Sequence, residues 1–372
     1  MTLKIFHTAD LHIGMKFNSY PEGIRDSLIE SRFDVLDKMV QMANDERCNL
    51  FVVSGDLFHN INIPKRDIDR VVKSLDEFNG ECVLVMPGNH DYDNEMIDLW
   101  NRFNKNITDK IFYINEEKPY ELTQYGLDVV VYPAPCHSKH SDENNIGWIN
   151  QNIEFDPKLY HIGIAHGALE GISPDMEKNY YFMTQKELEE IPVDVWLLGH
   201  THVSYPKNAA VKGWKIFNPG TPEPDGLDCE HDGYAWIITI DEDKSVKADK
   251  VATGIYRFYD EQFEISDDDD LYRIKEAILK DNPEGKVVRI TLRGRVSSDA
   301  YKCRHKLYNE LEAKLAHIII DDTELGVKVT KEIIDSEFTS GSFPHRFLNE
   351  LAEDEEALQI AYELIREVRE CS

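Results

Sequence analysis

Short apolar runs and longer amphipathic ones alternate along the first ninety residues. Leu3–Thr8, Leu50–Ser54 and Cys82–Met86 are short and rich in β-formers, and they predict strands. Between them, Arg25–Arg47 sets Leu28, Ile29, Phe33, Leu36, Met39, Val40 and Ala43 on one helical face. Pro64–Phe78 repeats the stripe with Ile68, Val71, Val72, Leu75 and Phe78, and Pro64 suits a first turn, where a missing N–H costs little. This βαβαβ order predicts a mainly parallel sheet covered by helices. Further on, Tyr120–Thr123 and Leu127–Tyr132 read as a hairpin around Tyr125-Gly126. His161–Ala165, Val193–Leu198, Lys215–Phe217 and Tyr234–Ile240 read as strands. Thr184–Glu190 reads as a helix opened by a Thr184/Glu187 capping box.

The acidic run Asp267–Asp270 reads as a solvated break. Beyond it, Leu271–Leu279 and Tyr301–Leu315 have helical character, and Val287–Val296 and His317–Ile320 strand character, which makes a second, small α/β unit. Ser336–Ser342 is polar and reads as a linker. After it come one apolar face of Phe347, Leu348 and Leu351, and another of Leu358, Ala361, Tyr362, Ile365 and Val368. The expected division is 1–255, 256–335 and 336–372.

Composition narrows the picture. At 372 residues, with 41% hydrophobic and 10% aromatic side chains, the chain can build real cores, which excludes wholesale disorder. Its 41 basic against 70 acidic residues leave a net charge of −29. Bulk attraction to nucleic acid is excluded, so a nucleic-acid role would need a local patch, a bound metal or a partner. No apolar run approaches the roughly 18 residues of a membrane span, and the N-terminus lacks the pattern of a signal peptide. The six cysteines are scattered with no Cys-x-x-Cys, as expected of reduced thiols in an intracellular, cytoplasmic protein.

The chemistry sits where strands end. Ile5-Phe6 leads to Asp10-Leu11-His12, and Phe51-Val52-Val53 to Gly55-Asp56-Leu57-Phe58-His59. Val83-Leu84-Val85 leads to Gly88-Asn89-His90-Asp91, Ile162-Gly163-Ile164 to His166-Gly167, and Trp196-Leu197-Leu198 to Gly199-His200-Thr201-His202. Ligands of open α/β sheets gather at the carboxyl ends of strands, so these residues can converge. Two carboxylates, an amide oxygen and several imidazoles, with no thiolate, suit Mn, Fe or Zn. There are enough donors for two ions, with Asp56 as the natural bridge, and two divalent ions side by side suit hydrolysis of a phosphoester. Any one of these motifs alone would read as a satisfied polar strand end; five in this order read as a dinuclear site.

The order Asp-x-His, Gly-Asp, Gly-Asn-His-Asp, His-Gly, Gly-His-x-His resembles the calcineurin-like metallophosphoesterases. His7–Gly14, Gly55–His59, Met86–Asp91 and Asn218–Thr221 resemble, more narrowly, the SbcD/Mre-type repair nucleases, over about residues 1–240. The resemblance implies a four-layer α/β/β/α sandwich with a small α/β capping domain and a C-terminal helical tail. It implies one metal on Asp10, His12, Asp56 and His202, and a second on Asp56, Asn89, His166 and His200, with Mn as the expected ion. His90 would act as general acid or stabilise the transition state, Asp91 would orient it, and His59 would lie beside the substrate phosphate. Thr221 stands where the family commonly has Ser. The resemblance also implies a homodimer that works with an SMC-like ATPase of the SbcC type on DNA ends, as exonuclease and endonuclease, in a prokaryotic or phage setting.

Two features keep two readings each. Between Lys286 and Lys306 lie seven basic residues and only Asp299 as an acid, and Arg289, Thr291, Arg293 and Arg295 share one strand face. They form either a phosphate-contacting ridge or an Arg row neutralised by nearby acids, such as those of Tyr301–Leu315. The amphipathic segment Phe347–Val368 either docks on the ATPase partner or packs on its own domain. His7, His137, His140, His161 and His231 read as structural. A small-molecule or phosphoprotein phosphoesterase is the alternative to the nuclease, and a non-enzymatic scaffold is a third reading. A site this rich in imidazole should lose metal, and activity, below about pH 6–6.5.

Overall fold

Period-two alternation along the strands builds two sheets that share one core. The computed structural model describes residues 2–150, 153–175 and 177–370. They form two compact units, Met1–Phe258 and Tyr259–Ser372.

The first unit begins β1 (Leu3–Thr8), α1 (Glu22–Asp45), β2 (Leu50–Ser54), α2 (Lys65–Asp76), β3 (Cys82–Met86), α3 (Asp98–Asn104) and β4 (Ile111–Tyr113). It continues through β5 (Tyr120–Glu121), β6 (Val129–Ala134), β7 (Tyr160–His166), α4 (Gln185–Glu190) and β8 (Val195–Gly199). It closes with β9 (Ala210–Lys212), β10 (Ile216–Phe217), β11 (Tyr234–Ile240) and β12 (Val246–Ala252). One sheet has the order β4-β3-β2-β1-β11-β12-β9, the other β10-β8-β7-β6-β5. The pairs β1–β2, β2–β3, β3–β4, β6–β7, β7–β8 and β8–β10 are parallel, as the βαβ order predicts. The strands β11, β12 and β9 add on antiparallel.

Alternate residues of each strand face different layers. Leu3, Ile5, Leu50, Val52 and Leu84 of the first sheet meet Val129, Val131, Ile162, Ile164 and Leu197 of the second. Their neighbours Phe6, Phe51, Val53, Val83 and Val85 face the helices, against Phe33, Leu36 and Met39 of α1, Ile68 and Val71 of α2, and Trp100 and Phe103 of α3. On the far side, Val130, Tyr132, Trp196 and Leu198 pack on Leu188 of α4 and on Ile146 and Ile149. The result is a four-layer α/β/β/α sandwich. Strands β2 and β3 are buried on both faces, which is why they read as nearly unbroken apolar runs, and β1 is buried but for Lys4. The capping box of α4 is present: the Thr184 side chain accepts from Glu187 N and the Glu187 side chain from Thr184 N.

The second unit holds a sheet of β13 (Arg257–Ile265), β14 (Lys286–Val296) and β15 (His317–Val327), with α5 (Asp268–Ile278) and α6 (Ser298–Glu312) on one face. Three short helices follow, α7 (Lys331–Glu337), α8 (Phe343–Glu350) and α9 (Glu355–Glu370). Two expectations need correcting. Asp267–Asp270 is not a break: Asp267 caps α5 in a capping box with Asp270, and the acids fill its first turn, where the helix dipole favours them. Val368 does not continue the buried stripe of α9. Leu358, Ala361 and Tyr362 pack on Ile334, Phe338 and Leu348, while Ile360, Leu364 and Val368 are exposed on another face.

Candidate metal centre

The loops after β1, β2, β3 and β8 and the last residue of β7 lie at one end of the sandwich. The pairing of β1 with β2 continues past both strands: Asp10 N donates to Gly55 O at 3.1 Å and His12 N to Asp56 O at 3.0 Å. These turns are tight enough to force left-handed backbone on residues with side chains. Asp10, His12, Asp56 and His200 have φ of 54°, 50°, 51° and 96°. Such conformations cost of order 1–3 kcal/mol each and persist where the surroundings over-determine them. Four of them on the expected ligands aim those side chains at one point.

Ligand atoms of Asp10, His12 and His202 lie within 4.8 Å of one another, and so do those of Asp10, Asp56 and His166. Asp56 stands between the two groups, its Oδ2 being 3.8 Å from His12 Nε2 and 3.4 Å from His166 Nε2. Asn89 Oδ1 lies 3.1 Å from His166 Nε2 and 3.0 Å from His200 Nδ1. All seven residues expected as ligands are therefore brought together, with Asp10 lying in both groups.

The donor chemistry fits divalent cations. His166 Nδ1 donates to Ser54 O at 2.8 Å, which leaves Nε2 with its lone pair facing Asp56 and Asn89. His12 Nε2 and His202 Nε2 face each other at 3.1 Å beside Asp10, while buried His12 Nδ1 has no hydrogen-bond partner among the described residues. Converging lone pairs and a carboxylate are costly unless positive charge sits among them. Electrostatics point the same way. Burial pushes the Asp10 carboxyl up to about 6 and His200 down to about 3. Burial works against a charged His166, but the neighbouring Asp56 carboxylate prevails and raises it to about 9, and Asp56 itself is held well below the usual carboxylate range. Burial likewise opposes a charged His202, yet its bond to Asp225 lifts it to about 9. The protein alone thus gathers protons where the carboxylates call for cations, and a metal must displace them to bind.

His90 and His59 flank these sets. Their rings stack at 5.4 Å, and with His12 they bring three ring nitrogens within 4.8 Å of one another. His90 N donates to Asp56 Oδ1 at 2.8 Å, and its Nδ1 lies 3.1 Å from His59 O. The expected role of Asp91 is corrected here. Its two oxygens accept from Gly88 N at 2.7 Å and Phe58 N at 2.9 Å, so it braces the two loops and does not orient the His90 ring. The carbonyl of His59 does that. Burial, with the Asp56 charge adding to it, pushes Asp91 up to about 8.

One functional residue escaped the sequence reading. Asp225 Oδ2 lies 3.0 Å from His202 Nδ1 and fixes that ring through the nitrogen that does not face the centre. The motif match stopped at Thr221, four residues earlier; an acid close behind a ligand loop was the signal. Thr221 is buried and its hydroxyl donates to Asp10 O at 3.0 Å, a bond Ser could also make.

The arginine row belongs to the second unit, and every member is paired. Arg289 Nε donates to Asp260 Oδ1 at 2.7 Å, Arg293 Nε lies 3.0 Å from Glu324 Oε2, and Arg295 Nη2 donates to Glu363 Oε1 at 2.6 Å. This is the neutralised row, though its acids come from β13, β15 and α9, not from Tyr301–Leu315. Of the histidines expected to be structural, His7 Nε2 meets Ser54 Oγ at 2.8 Å, and His161 Nδ1 meets Tyr132 Oη at 2.9 Å.

Residues 3–204, over half of the chain, match the family model for calcineurin-like phosphoesterase. The chain belongs to the calcineurin-like phosphoesterases. It is 26% identical over 207 residues to the uncharacterized metallophosphoesterase YhaO of Bacillus subtilis (strain 168), covering 54% of this chain and 48% of that one. It therefore spans about half the length of that curated relative. Among solved structures it is similar to TT1561 of Thermus thermophilus, with a TM-score of 0.38 and 11% identity over 67% of this chain and 98% of the other. A dimetal phosphatase from Danio rerio matches with a TM-score of 0.36 and 10% identity over 68% of this chain and 99% of the other. The family is one of phosphoester hydrolases, and the residues gathered at this centre fit a dinuclear divalent metal site.

Proposed function

We propose that the protein is a Mn-dependent nuclease that hydrolyses phosphodiester bonds in DNA, the nuclease subunit of an SbcCD-like end-processing complex. The observation that carries this reading is the stacked His59–His90 pair set against two groups of converging donors that share Asp10. A phosphodiester needs a proton for a poor leaving oxygen, and His90 is placed to give one. Its Nδ1–H bond to the His59 carbonyl holds whether the ring is neutral or charged, so Nε2 can deliver a proton and then accept one back without the ring turning. Asp56 holds the backbone of His90 as well as both donor sets, so acid and centre share one frame. When bound, two divalent cations would activate water and neutralise charge on the reacting phosphate.

An ATPase partner would supply the phosphate contacts that a chain of net charge −29 lacks. The exposed apolar side chains of α8 and α9, Phe343, Phe347, Ile360, Leu364 and Val368, are the surface for it, and a homodimer is part of the same proposal. A small-molecule or phosphoprotein substrate is the second reading, favoured by the pairing of all three arginines of the row.

The test is Mn-dependent cleavage of end-labelled linear DNA beside turnover of bis(p-nitrophenyl) phosphate, for wild type, His90→Ser and Asp56→Asn. DNA degradation by wild type, lost in both variants while His90→Ser keeps its metal, supports the nuclease. Turnover of the small ester with DNA intact, even after an SbcC-type ATPase is added, refutes it.

A further inference from the structure

The inward face of α1 is apolar except for the small hydroxyl of Ser31 and one cation. Arg32 is 2% exposed, between Ser31 and Phe33 in the stripe that packs on the first sheet. A buried guanidinium is costly, and its Nε has no hydrogen-bond partner among the described residues, which adds to the cost. A Met or Leu of similar length would pack here without that cost, so the cation calls for a reason.

Its contacts supply one. Nη1 donates to Leu11 O at 2.9 Å, the middle of the Asp10-Leu11-His12 ligand turn. Nη2 lies 3.5 Å from Pro224 O, the residue just before Asp225. Phe17 lies under the guanidinium carbon at 5.5 Å. One rigid fork therefore reaches two loops that are some two hundred residues apart in sequence. The acids on which its charge acts are Asp225 and Glu223. The Glu223 carboxylate already accepts from Ile255 N and Tyr256 N, so its place is fixed independently. Asp225 faces His202.

We propose that Arg32 and Asp225 are positioning residues for one metal only, the ion held by Asp10, His12 and His202. Arg32 sets the separation of the ligand turn and the Asp225 loop, and its buried charge offsets that of Asp225. Asp225 then holds the His202 ring with Nε2 turned toward His12. The other donor set shares the Asp10 and Asp56 carboxylates, but its own ligands are braced by different groups and none of them touches Asp225: Ser54 O holds His166, and Asp91 holds the Gly88 loop before Asn89. The unit should therefore act on one ion and leave its neighbour alone. This inference rests on the dinuclear reading of the centre.

The test is calorimetric titration of the cation-free full chain with Mn2+ alone, for wild type, Asp225→Asn, Arg32→Lys and Arg32→Met. Electron paramagnetic resonance of the loaded proteins and thermal unfolding of the cation-free ones accompany it. Wild type should bind two ions and show the signature of a coupled pair. Asp225→Asn, which keeps shape and only weakens the grip on His202, should lower the affinity of one site by about 10–100-fold and leave the other unchanged. The coupled signal should give way to that of an isolated ion. Arg32→Met should do the same, and Arg32→Lys, with charge but no fork, should fall between. Two sites of wild-type affinity in Asp225→Asn overturn the proposal. So does equal weakening of both sites in step with lost thermal stability. A wild type that binds fewer than two ions instead refutes the dinuclear reading on which the proposal stands.

Discussion

Gly55→Ala tests whether the backbone, and not only the ligands, makes the metal centre. Gly55 has φ +96°, and a Cβ built on it would stand 2.1 Å from His166 Nδ1, 2.6 Å from its Cγ and 2.9 Å from Gly88 Cα. Nothing at that spot can give cheaply. The imidazole is held by the bond from Nδ1 to Ser54 O, and its Nε2 must stay near Asp56 and Asn89. The strained backbone costs about 1–3 kcal/mol for a residue with a Cβ. Tearing the buried Nδ1–H from its carbonyl costs about another 1–3 kcal/mol. The total, about 2–6 kcal/mol, is a large part of the roughly 5–15 kcal/mol that holds a domain together. For a unit of this size it lowers the melting temperature by roughly 5–20 °C. The displaced His166 should also weaken metal binding at its own site, although no ligand has been replaced.

Gly126→Ala is the control. Gly126 also has positive φ, +77°, but a Cβ there meets nothing within 4 Å, so only backbone strain is added. Differential scanning calorimetry of both cation-free variants, followed by Mn2+ titration, separates strain from collision. If Gly55→Ala melts no lower than Gly126→Ala and binds two ions as wild type does, the argument that close backbone approach shapes the site is refuted.

Other outcomes follow from the same structure. Burial drives His7 down to about 3, below the value near 6.5 of the unfolded chain. Its contribution to stability is therefore present above about pH 6.5 and lost as pH falls toward 3. His7→Gln, which can still bond Ser54, should flatten the acid limb of a melting-temperature profile, and an unchanged limb would refute this. Removing Arg289, Arg293 and Arg295 together should leave the salt dependence of any DNA affinity unchanged, because each is already spent on an acid; a slope shallower by about one per residue would restore the phosphate ridge. Leu197→Ala, in the core between the two sheets, should cost about 2–5 kcal/mol in denaturant unfolding, and a loss below about 1 kcal/mol would mean that the sheets do not share a tight core.

Local pattern alone reveals most strands and helices of the first unit and the candidate ligands of its centre. A strand buried on both faces must be an apolar run, so a polar side chain just after it stands out, as Asp10, Asp56, Asn89 and His200 do. His166, the last residue of β7, stands out the same way. The capping box of α4 was legible because all its partners lie within three residues. The strands β4, β9 and β12 were not legible, since β4 and β9 are only three residues long and in β12 the adjacent charges Asp249 and Lys250 break the alternation, so pairing with neighbours defines them more than pattern does. Which charges meet is a matter of the folded topology. Arg293 and Glu324 are 31 positions apart, Arg295 and Glu363 sixty-eight, and a strand face of free arginines looks the same in sequence as a face of paired ones. The same holds for the Asp225 carboxylate behind His202, the two N–H groups that occupy Asp91, and the buried fork of Arg32. Local periodicity records what a residue must be buried against, solvent or core, whereas the partner of a buried charge is set by folding topology, which no window along the chain contains.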